Sequence, residues 1–486
     1  MQHSHRRAFV AATAVGFLLA VAGSAQAAVP LTQVFSDPFT NTSSQHKTAV
    51  EPDTFRFGST MVTAAQSGRF NDGGGSGIGW ATLNGSGAVV ANGTLPGITT
   101  HNGNGGTFDR VSDPSVAYDA AHGVWMISSI PITASLTVPR VIVNRSTNGG
   151  VSWSTPVTVA TSSTADLDKN WTACDNHPAS PFYGRCYTTW DDHAAGNRLY
   201  TSTSTDGGLT WGTPKTTANN GTGLGAQPVV QPNGTVIVPA SNANETAIIA
   251  YRSTDGGNSW SATSTLNTVS HHTVAGSVRT GPLPTAEIGD DGKVFVAWQD
   301  CRFRRACRAN DIVYRTTTDG TTWSAVARVP IDATNSGVDH FIPGLAVTGS
   351  GTTTKLGLTY HFFRTAACGT SCQLEVGYIQ SDNGGSTWSA HTDVAGPFPV
   401  SQVPNTTQGR MVGDYISTSW LSGRAYGSFA VAKAPSGGFA FDQALYVPTG
   451  GSGASAGAFV ATAAGDRPVA GAASDHAAPR SAIRHR

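Results

Sequence analysis

A short motif occurs five times in this chain and limits its fold more than any other feature. Its pattern is Ser/Thr-x-Asp/Asn-Gly-Gly-x-Ser/Thr-Trp, and the copies end at Trp153, Trp211, Trp260, Trp323 and Trp388, the fourth with one glycine instead of two. The acidic or amide side chain can cap backbone amides, the glycines allow positive φ, and the tryptophan can fold over the turn. The motif therefore predicts a repeated β-hairpin turn, and repetition at this spacing predicts an architecture built from similar β-units.

Because the motif is a folding device, its polar residues are expected to be structural rather than catalytic. These residues are Asn148, Asp206, Asp255, Asp319 and Asn383.

Composition agrees with an all-β chain. Only 12% of the 486 residues are charged, and 57 are glycine. Such a chain favours strands and tight turns over helix bundles or coiled coils. The 30 basic and 30 acidic groups balance, so no overall field attracts nucleic acid or anionic lipid.

The N-terminus has the pattern of a secretion signal over residues 1–27. Arg6 and Arg7 precede an apolar run, and Ala25-Gln26-Ala27 has the small residues of a cleavage site. No later stretch is long and apolar enough to cross a membrane. We expect a secreted, extracellular and monomeric protein without membrane insertion.

The six cysteines fall into three pairs that are local in sequence. An exported protein keeps disulfides, and closure of three short loops is the simplest of the 15 possible pairings. The expected pairs are Cys174 with Cys186, Cys301 with Cys307, and Cys368 with Cys372. A zinc site is the less favoured alternative, and we expect no metal or cofactor.

The five motif copies resemble those of the Asp-box, or BNR-repeat, superfamily, whose best-known members are the sialidases. The resemblance implies a β-propeller of four-stranded blades. Units beginning near Asp113, Lys169, Gln227, Thr285, Phe341 and Met411, with one more at 58–85, favour seven blades, and six are possible if the first unit completes the last. The propeller is expected over residues 28–449, with a disordered tail rich in Ala and Gly over 450–486.

In such a blade the Asp-box turns lie on one face of the propeller. The opposite face carries the starts of the inner strands and the loops that join second to third strands, and we call it the site face. We expect the site face to carry the candidate polar and aromatic residues and the three disulfides. Disulfides hold loops in a fixed shape, and rigid loops are suited to a functional site. The candidates are Arg69, Asp113, Trp171, Trp190, Asp300, Arg302, His340, Arg410, Asp414 and Tyr415.

Glu287 is one of only four glutamates and lies within a predicted inner strand. Such a strand lines the central channel, where a carboxylate must be paired or functional because burying an isolated charge is costly.

The resemblance also implies roles for these groups. A sialidase grips the substrate carboxylate with three arginines, which Arg69, Arg302 and Arg410 could supply. Tyr415 with Glu287 would form the nucleophile pair, and Asp113 the general acid/base. Asp300, Asp414, Trp171, Trp190 and His340 are the remaining substrate-binding candidates.

An exo-acting glycoside hydrolase of the exo-α-sialidase type, with a glycan or polysaccharide substrate, is therefore the favoured function. Two alternatives stay open. A polysaccharide lyase could use Tyr415, His340 or His361 with Arg410, and a glycan-binding propeller without catalysis needs only aromatic and hydrogen-bonding groups.

Overall fold

The computed structural model describes residues 29–453 and 466–469, and strands are their main regular structure. Strands of two to ten residues alternate with turns and loops, as the Thr, Ser, Val and Gly content favours. Five single 3₁₀ turns are the helical elements of the described residues; they are Thr100–Asn102, His193–Ala195, Arg305–Cys307, Gly351–Thr353 and Val400–Gln402. The predicted all-β propeller class is confirmed.

The strands form four-stranded antiparallel units, each numbered from the inner strand outward. The first three units are β2 to β5 (Ala49–Phe57, Thr60–Arg69, Gly75–Leu83, Val89–Thr94), β6 to β9 (Arg110–Asp119, Val124–Ile132, Arg140–Ser146, Val157–Thr161) and β10 to β13 (Leu167–Cys174, Cys186–Asp192, Arg198–Ser204, Lys215–Thr216). The next three are β14 to β17 (Val229–Val230, Val236–Ser241, Ala247–Ser253, Ser264–Thr268), β18 to β21 (Thr285–Ile288, Val294–Asp300, Asp311–Thr317, Ala327–Arg328) and β22 to β25 (Asp339–Thr348, Lys355–Phe363, Gln373–Ser381, Thr392–Pro399). A small hairpin, β26 and β27 (Asn405–Thr406, Gly409–Arg410), precedes the last unit.

The last unit joins the two ends of the described propeller. It consists of β28 to β30 (Ser417–Leu421, Arg424–Ala432, Gln443–Pro448) with the N-terminal strand β1 (Leu31–Phe35) as its outermost strand. The first unit is complete in itself, and a single bridged pair, Gly75 with Val111, joins it to the second. The blade count of seven stays a prediction, and these seven four-stranded units support it.

The Asp-box turns have the predicted construction. Asp206 Oδ1 accepts hydrogen bonds from the backbone N–H groups of Leu209 and Thr210 at 3.1 and 2.9 Å, and Thr210 Oγ1 donates to Asp206 Oδ2 at 2.6 Å. Gly207 and Gly208 have φ of +70° and +76°, a region that residues with a Cβ rarely enter. Asp255 repeats the arrangement with Ser259.

Apolar side chains between neighbouring units form the core. One cluster packs Val229, Ile248, Val294 and Trp298 between β14–β17 and β18–β21. The inner strands also contact one another around the centre, β28 contacting β2 and β22. This packing fixes where each inner strand starts on the site face.

All three predicted disulfides are present, but one lies on a different face from that expected. Cys301–Cys307 follows β19, and Cys368–Cys372 lies between β23 and β24, so both are on the site face. Cys174–Cys186 instead closes the connection from β10 to β11. In an antiparallel blade this connection lies on the same side as the Asp-box turn. The reason is that β10 begins on the site face and runs as far as Cys174. The loop that follows Cys174 is therefore on the Asp-box face.

Two predicted segments lie wholly or partly outside the described residues. The signal peptide at 1–27 is outside them, and of the tail at 450–486 they include only 450–453 and 466–469. Both predictions stay predictions. Within the described part of the chain no helix is long and apolar enough to cross a membrane.

Candidate functional site

Four inner strands carry a bulge where they begin on the site face. Their strand pairing shifts by one residue between Val50 and Asp53, and likewise in β6, β10 and β22. The bulges contain Glu51, Asp113, Lys169 and Ile342, with φ between +50° and +56°. Left-handed conformations of such residues cost energy and concentrate at functional sites. The repeated bulge therefore marks this end of the channel as a candidate site.

The bulges bring buried charges together around Lys169. Its Nζ lies 2.5 Å from Asp414 Oδ2, 3.7 Å from Asp113 Oδ2 and 3.9 Å from Glu51 Oε1. Arg279 Nε donates to Asp414 Oδ1 at 2.7 Å. We call Glu51, Arg69, Asp113, Lys169, Arg279, Asp414 and Tyr415 the Glu51 cluster.

Asp414 and Lys169 are held in their charged forms. Burial opposes both charges, but Arg279 and Lys169 keep the pKa of Asp414 below its usual value. Asp113 and Asp414 likewise keep the pKa of Lys169 above its usual value. These two groups form the fixed ionic centre of the cluster.

Glu51 has the opposite environment. It is fully buried, and neither of its carboxylate oxygens has a hydrogen-bond partner within residues 29–453 and 466–469. Burial and the negative charge of Asp113 raise its pKa to about 7, against the opposing charge of Lys169. A carboxyl group with a pKa near neutrality and no hydrogen bonds to release is suited to accept or donate a proton.

Arg69 and Arg279 place two positive charges near each other. Burial, followed by the charge of Arg279, lowers the pKa of Arg69 to about 10. Arg69 Nη1 donates to the Gly74 carbonyl oxygen at 2.9 Å, and its Nε contacts Met411 Sδ at 3.3 Å. No salt bridge joins Arg69 to a carboxylate among the described residues.

Tyr415 lies at the edge of the cluster. Its hydroxyl donates to the Pro114 carbonyl oxygen at 3.1 Å, and its ring packs edge-on against Trp171 at 5.1 Å. Burial and the negative charges of Glu51 and Asp113 raise its pKa well above the usual value. Tyr415, Trp171 and Lys169 line a small pocket with Leu283 and Pro284.

Glu287 occupies a separate cavity of about 300 Å³ inside the channel, toward the Asp-box face. Burial, followed by the charge of Asp53, raises the pKa of Glu287 to about 8. Burial raises that of Asp53 to about 7, against a hydrogen bond from the Val116 N–H. Glu287 lines the channel, as the sequence predicts. Tyr415 lines the small pocket beside Lys169 instead. The glutamate whose charge raises the pKa of Tyr415 is Glu51.

The side chains of two other candidates have partners outside the cluster. Arg302 Nη2 forms an ion pair with Asp300 Oδ2 at 2.7 Å, and Arg410 Nη1 donates to the carbonyl oxygens of Ser401 and Val403. The Arg410 carbonyl oxygen accepts the Arg279 N–H at 2.8 Å, so its backbone is next to the cluster. The cations of the Glu51 cluster are Arg69, Arg279 and Lys169, and the Arg69–Arg302–Arg410 triad expected from the resemblance stays a prediction.

Trp190 and His340 are also removed from the cluster. Trp190 is buried and stacks on Tyr200 at 6.1 Å. His340 Nε2 lies 4.0 Å from Asp332 Oδ2, and burial lowers its pKa to about 3.

One group of possible metal ligands occurs among the described residues. Ligand atoms of Asp311, Asp332 and His340 lie within 4.8 Å of one another. However, Arg304 and Arg328 already bind both carboxylates at 2.5–2.8 Å. A cation would compete with two guanidinium groups, so this donor set fits a metal poorly.

Glu51, Lys169 and Arg279 are the cluster members that we did not select as candidates from the sequence. A signal for Glu51 exists, because Glu51-Pro52, Asp113-Pro114 and Ile342-Pro343 occupy the same bulge in three inner strands. Aligning these dipeptides would have paired Glu51 with Asp113. Arg279 lies in an irregular segment before β18, where periodicity gives no information.

Comparison with known proteins agrees with the fold. Residues 138–344 match the family model described as a BNR repeat-like domain, so the predicted resemblance to BNR-repeat proteins is confirmed. No match was found among curated proteins.

Several solved structures are similar to the chain at low identity. The leech intramolecular trans-sialidase is 13% identical over 69% of this chain and 67% of its own, with a TM-score of 0.48. The NanB sialidase of Streptococcus pneumoniae is 12% identical over 86% and 70%, with 0.41. An ulvan lyase of a new polysaccharide lyase family is 11% identical over 86% and 95%, with 0.47.

Proposed function

We propose that the protein is a secreted carbohydrate-active enzyme, a glycoside hydrolase of the exo-sialidase type, with the Glu51 cluster as its active site. The observation that carries the proposal is Glu51 itself. Its carboxyl group is buried without hydrogen bonds, its pKa is about 7, and its backbone is in a strained conformation. A structural carboxylate would have hydrogen-bond partners, whereas a general acid or base works best with its pKa near the operating pH.

The remaining cluster members have complementary roles in this proposal. Arg69 and Arg279 bind the carboxylate of an acidic sugar. The Tyr415 oxygen attacks the anomeric carbon while its phenolic proton passes to Glu51. Asp113 begins the reaction protonated and gives its proton to the departing glycosidic oxygen. Water then attacks the anomeric carbon, the bond to Tyr415 breaks, Asp113 takes a proton from that water, and Glu51 returns its proton to the Tyr415 oxygen. Lys169 and Asp414 hold the charges in place.

Access to the cluster requires movement of the segment that covers it. Tyr415, the most exposed cluster member, is 8% exposed. Leu283 and Pro284 lie over the pocket of Tyr415, and Arg279 belongs to the same segment. Residues 269–284 contain no strand, and long irregular connections of this kind often act as active-site lids.

The test is release of free sugar from aryl glycosides and sialyl conjugates by the wild type, Glu51→Gln and Glu287→Gln. We expect Glu51→Gln to lose about 10²- to 10⁴-fold of kcat, the usual contribution of a general acid/base. Its melting temperature should be close to that of the wild type, because Lys169 keeps its two nearer carboxylates, Asp414 and Asp113.

Glu287→Gln is the matched control, because it makes the same change in the neighbouring cavity. Equal activity of Glu51→Gln and the wild type would refute the assigned role. Loss in Glu287→Gln alone would place the chemistry in the central cavity, and the absence of release from every substrate would refute the hydrolase.

A further inference from the structure

A short C-terminal segment, residues 466–469, lies against the propeller at two points. Asp466 Oδ2 lies 3.1 Å from Arg328 Nη1. The backbone N–H of Val469 donates to the Arg302 carbonyl oxygen at 2.7 Å. The segment thus bridges the outer strand β21 and the loop that follows β19, at the edge of the site face.

Arg328 is buried, and the propeller supplies partners for only part of its guanidinium group. Its Nε lies 2.8 Å from Asp311 Oδ1. Its Nη2 donates to the Asp332 carboxylate and carbonyl oxygens at 2.7 and 2.6 Å. Asp466 is the partner of the remaining nitrogen, Nη1.

The attraction between Asp466 and Arg328 depends more on hydrogen-bond geometry than on the net charge around Arg328. Arg304 and Arg328 together balance Asp311 and Asp332, which bind them at 2.5–2.8 Å. The four groups therefore exert no large positive field on Asp466. A buried guanidinium N–H without an acceptor is nevertheless costly, and a carboxylate is the acceptor that suits it best.

The loop that carries the Arg302 carbonyl oxygen, the acceptor of the Val469 N–H, is rigid. Arg302 lies within the loop closed by the Cys301–Cys307 disulfide, and its side chain is bound to Asp300. The carbonyl oxygen that receives the Val469 N–H is therefore fixed in place. A fixed backbone acceptor beside a buried cationic donor is suited to one extended peptide segment.

We propose that Arg328 is a carboxylate-binding site at the edge of the site face and that residues 466–469 of the same chain are its occupant. Asp466 supplies the carboxylate, and the Val469 N–H fixes the direction of the segment. Residues 466–469 are thus attached to the propeller at this place, independently of any catalytic activity.

The test is hydrogen exchange at the Val469 amide in the full-length protein, comparing wild type, Asp466→Asn, Asp466→Glu and Arg467→Gln. We expect a protected amide in the wild type and exchange at least about tenfold faster in Asp466→Asn, since a hydrogen bond between charged groups typically contributes that much. Asp466→Glu keeps a carboxylate and should retain protection. Arg467→Gln removes a neighbouring charge and should have no effect.

Two results would overturn the proposal. One is unprotected exchange at Val469 in the wild type, which would mean that the segment is not bound. The other is equal protection in Asp466→Asn and the wild type, which would mean that the carboxylate does not hold it. Both positions, 466 and 467, lie outside the strands, so none of the three variants is expected to affect folding.

Discussion

Glu287 and Asp53 are two acidic residues that line one cavity of the channel, and both have a raised pKa. Burial is the main cause, and it raises the pKa of Glu287 to about 8 and that of Asp53 to about 7. In the unfolded chain both groups lose their protons near pH 4. The folded state therefore keeps protons that the unfolded state releases, and this difference determines how stability depends on pH.

We predict that the protein loses stability as the pH rises from about 4.5 to 8, and that Glu287→Gln reduces this loss. The contribution of Glu287 is fully present below its unfolded pKa and is lost as the pH rises through its folded pKa of about 8. One such group changes the free energy of unfolding by at most about 1.4 kcal/mol per pH unit. Melting temperatures at pH 5 and 8.5 measure the effect.

Asp382→Asn is the control for that measurement, because its side chain is 37% exposed. It should show the same pH dependence as the wild type. An unchanged pH dependence in Glu287→Gln would show that the ionisation of Glu287 does not contribute.

At the residue scale the sequence predicted part of the candidate site. Arg69, Asp113, Asp414 and Tyr415 were selected because they lie at strand ends on the expected face. Glu51 was not selected, because the first unit predicted from the sequence began at residue 58 and left out the inner strand β2 that carries it. The bulge at Glu51 also changes which side chains of β2 face the channel, and strict alternation along a strand does not reveal that change.

The blade elements depend on local hydrogen bonds that the repeated motif supplies. Asp255 accepts from the backbone N–H of Ser259 at 3.0 Å and from its hydroxyl at 2.6 Å. At the corresponding position of other blades, Asn148 and Asn383 accept a backbone N–H at 3.0 and 2.8 Å. An amide oxygen therefore replaces the carboxylate in the same turn.

We predict that Asp255→Ala lowers the free energy of unfolding by about 1–2 kcal/mol, whereas Asp255→Asn costs less than about half of that. Alanine leaves backbone donors of the turn without their acceptor, and asparagine keeps it. Denaturant unfolding of the two variants tests this. A loss of equal size in both would mean that the negative charge, and not the acceptor, stabilises the turn.

Element identity was easier to predict from the sequence than element length. The Asp-box copies locate the turn between third and fourth strands, and local spacing gave all three disulfides. The face of Cys174–Cys186 was wrong because it depended on where β10 ends. Strand ends are set by pairing with a neighbouring strand, here with β11 as far as the Cys174–Cys186 pair, and the sequence pattern does not show how far that pairing extends.

Strand β1 is the outermost strand of the last blade unit, and it joins the two ends of the described propeller. Val34 and Phe35 are buried in a cluster with Leu445 and Val447 of β30 and with Ala65 and Ala81 of the first unit. The sequence anticipated that the ends could share a unit, but not which strand was shared. That choice depends on packing between segments far apart along the chain.

We predict that Val34→Ala lowers the stability of the whole propeller by about 2 kcal/mol, because it leaves a cavity at the junction of the two ends. Thr32→Ala, in the same strand, loses only an exposed hydroxyl contact with Thr449 and should cost less than about 0.5 kcal/mol. The melting temperatures of the two variants give the comparison. Equal values would mean that β1 does not contribute to closure.

The pairing of β1 with β30 also has a consequence for synthesis. Strand β1 cannot pair with β30 until the roughly 400 residues between them have been synthesised. At about 5–20 residues per second, the ribosome needs on the order of 20–80 s to make them. During that time the edges of the nascent sheet are open to wrong pairing, so this ring can close only after nearly all of the chain has been made.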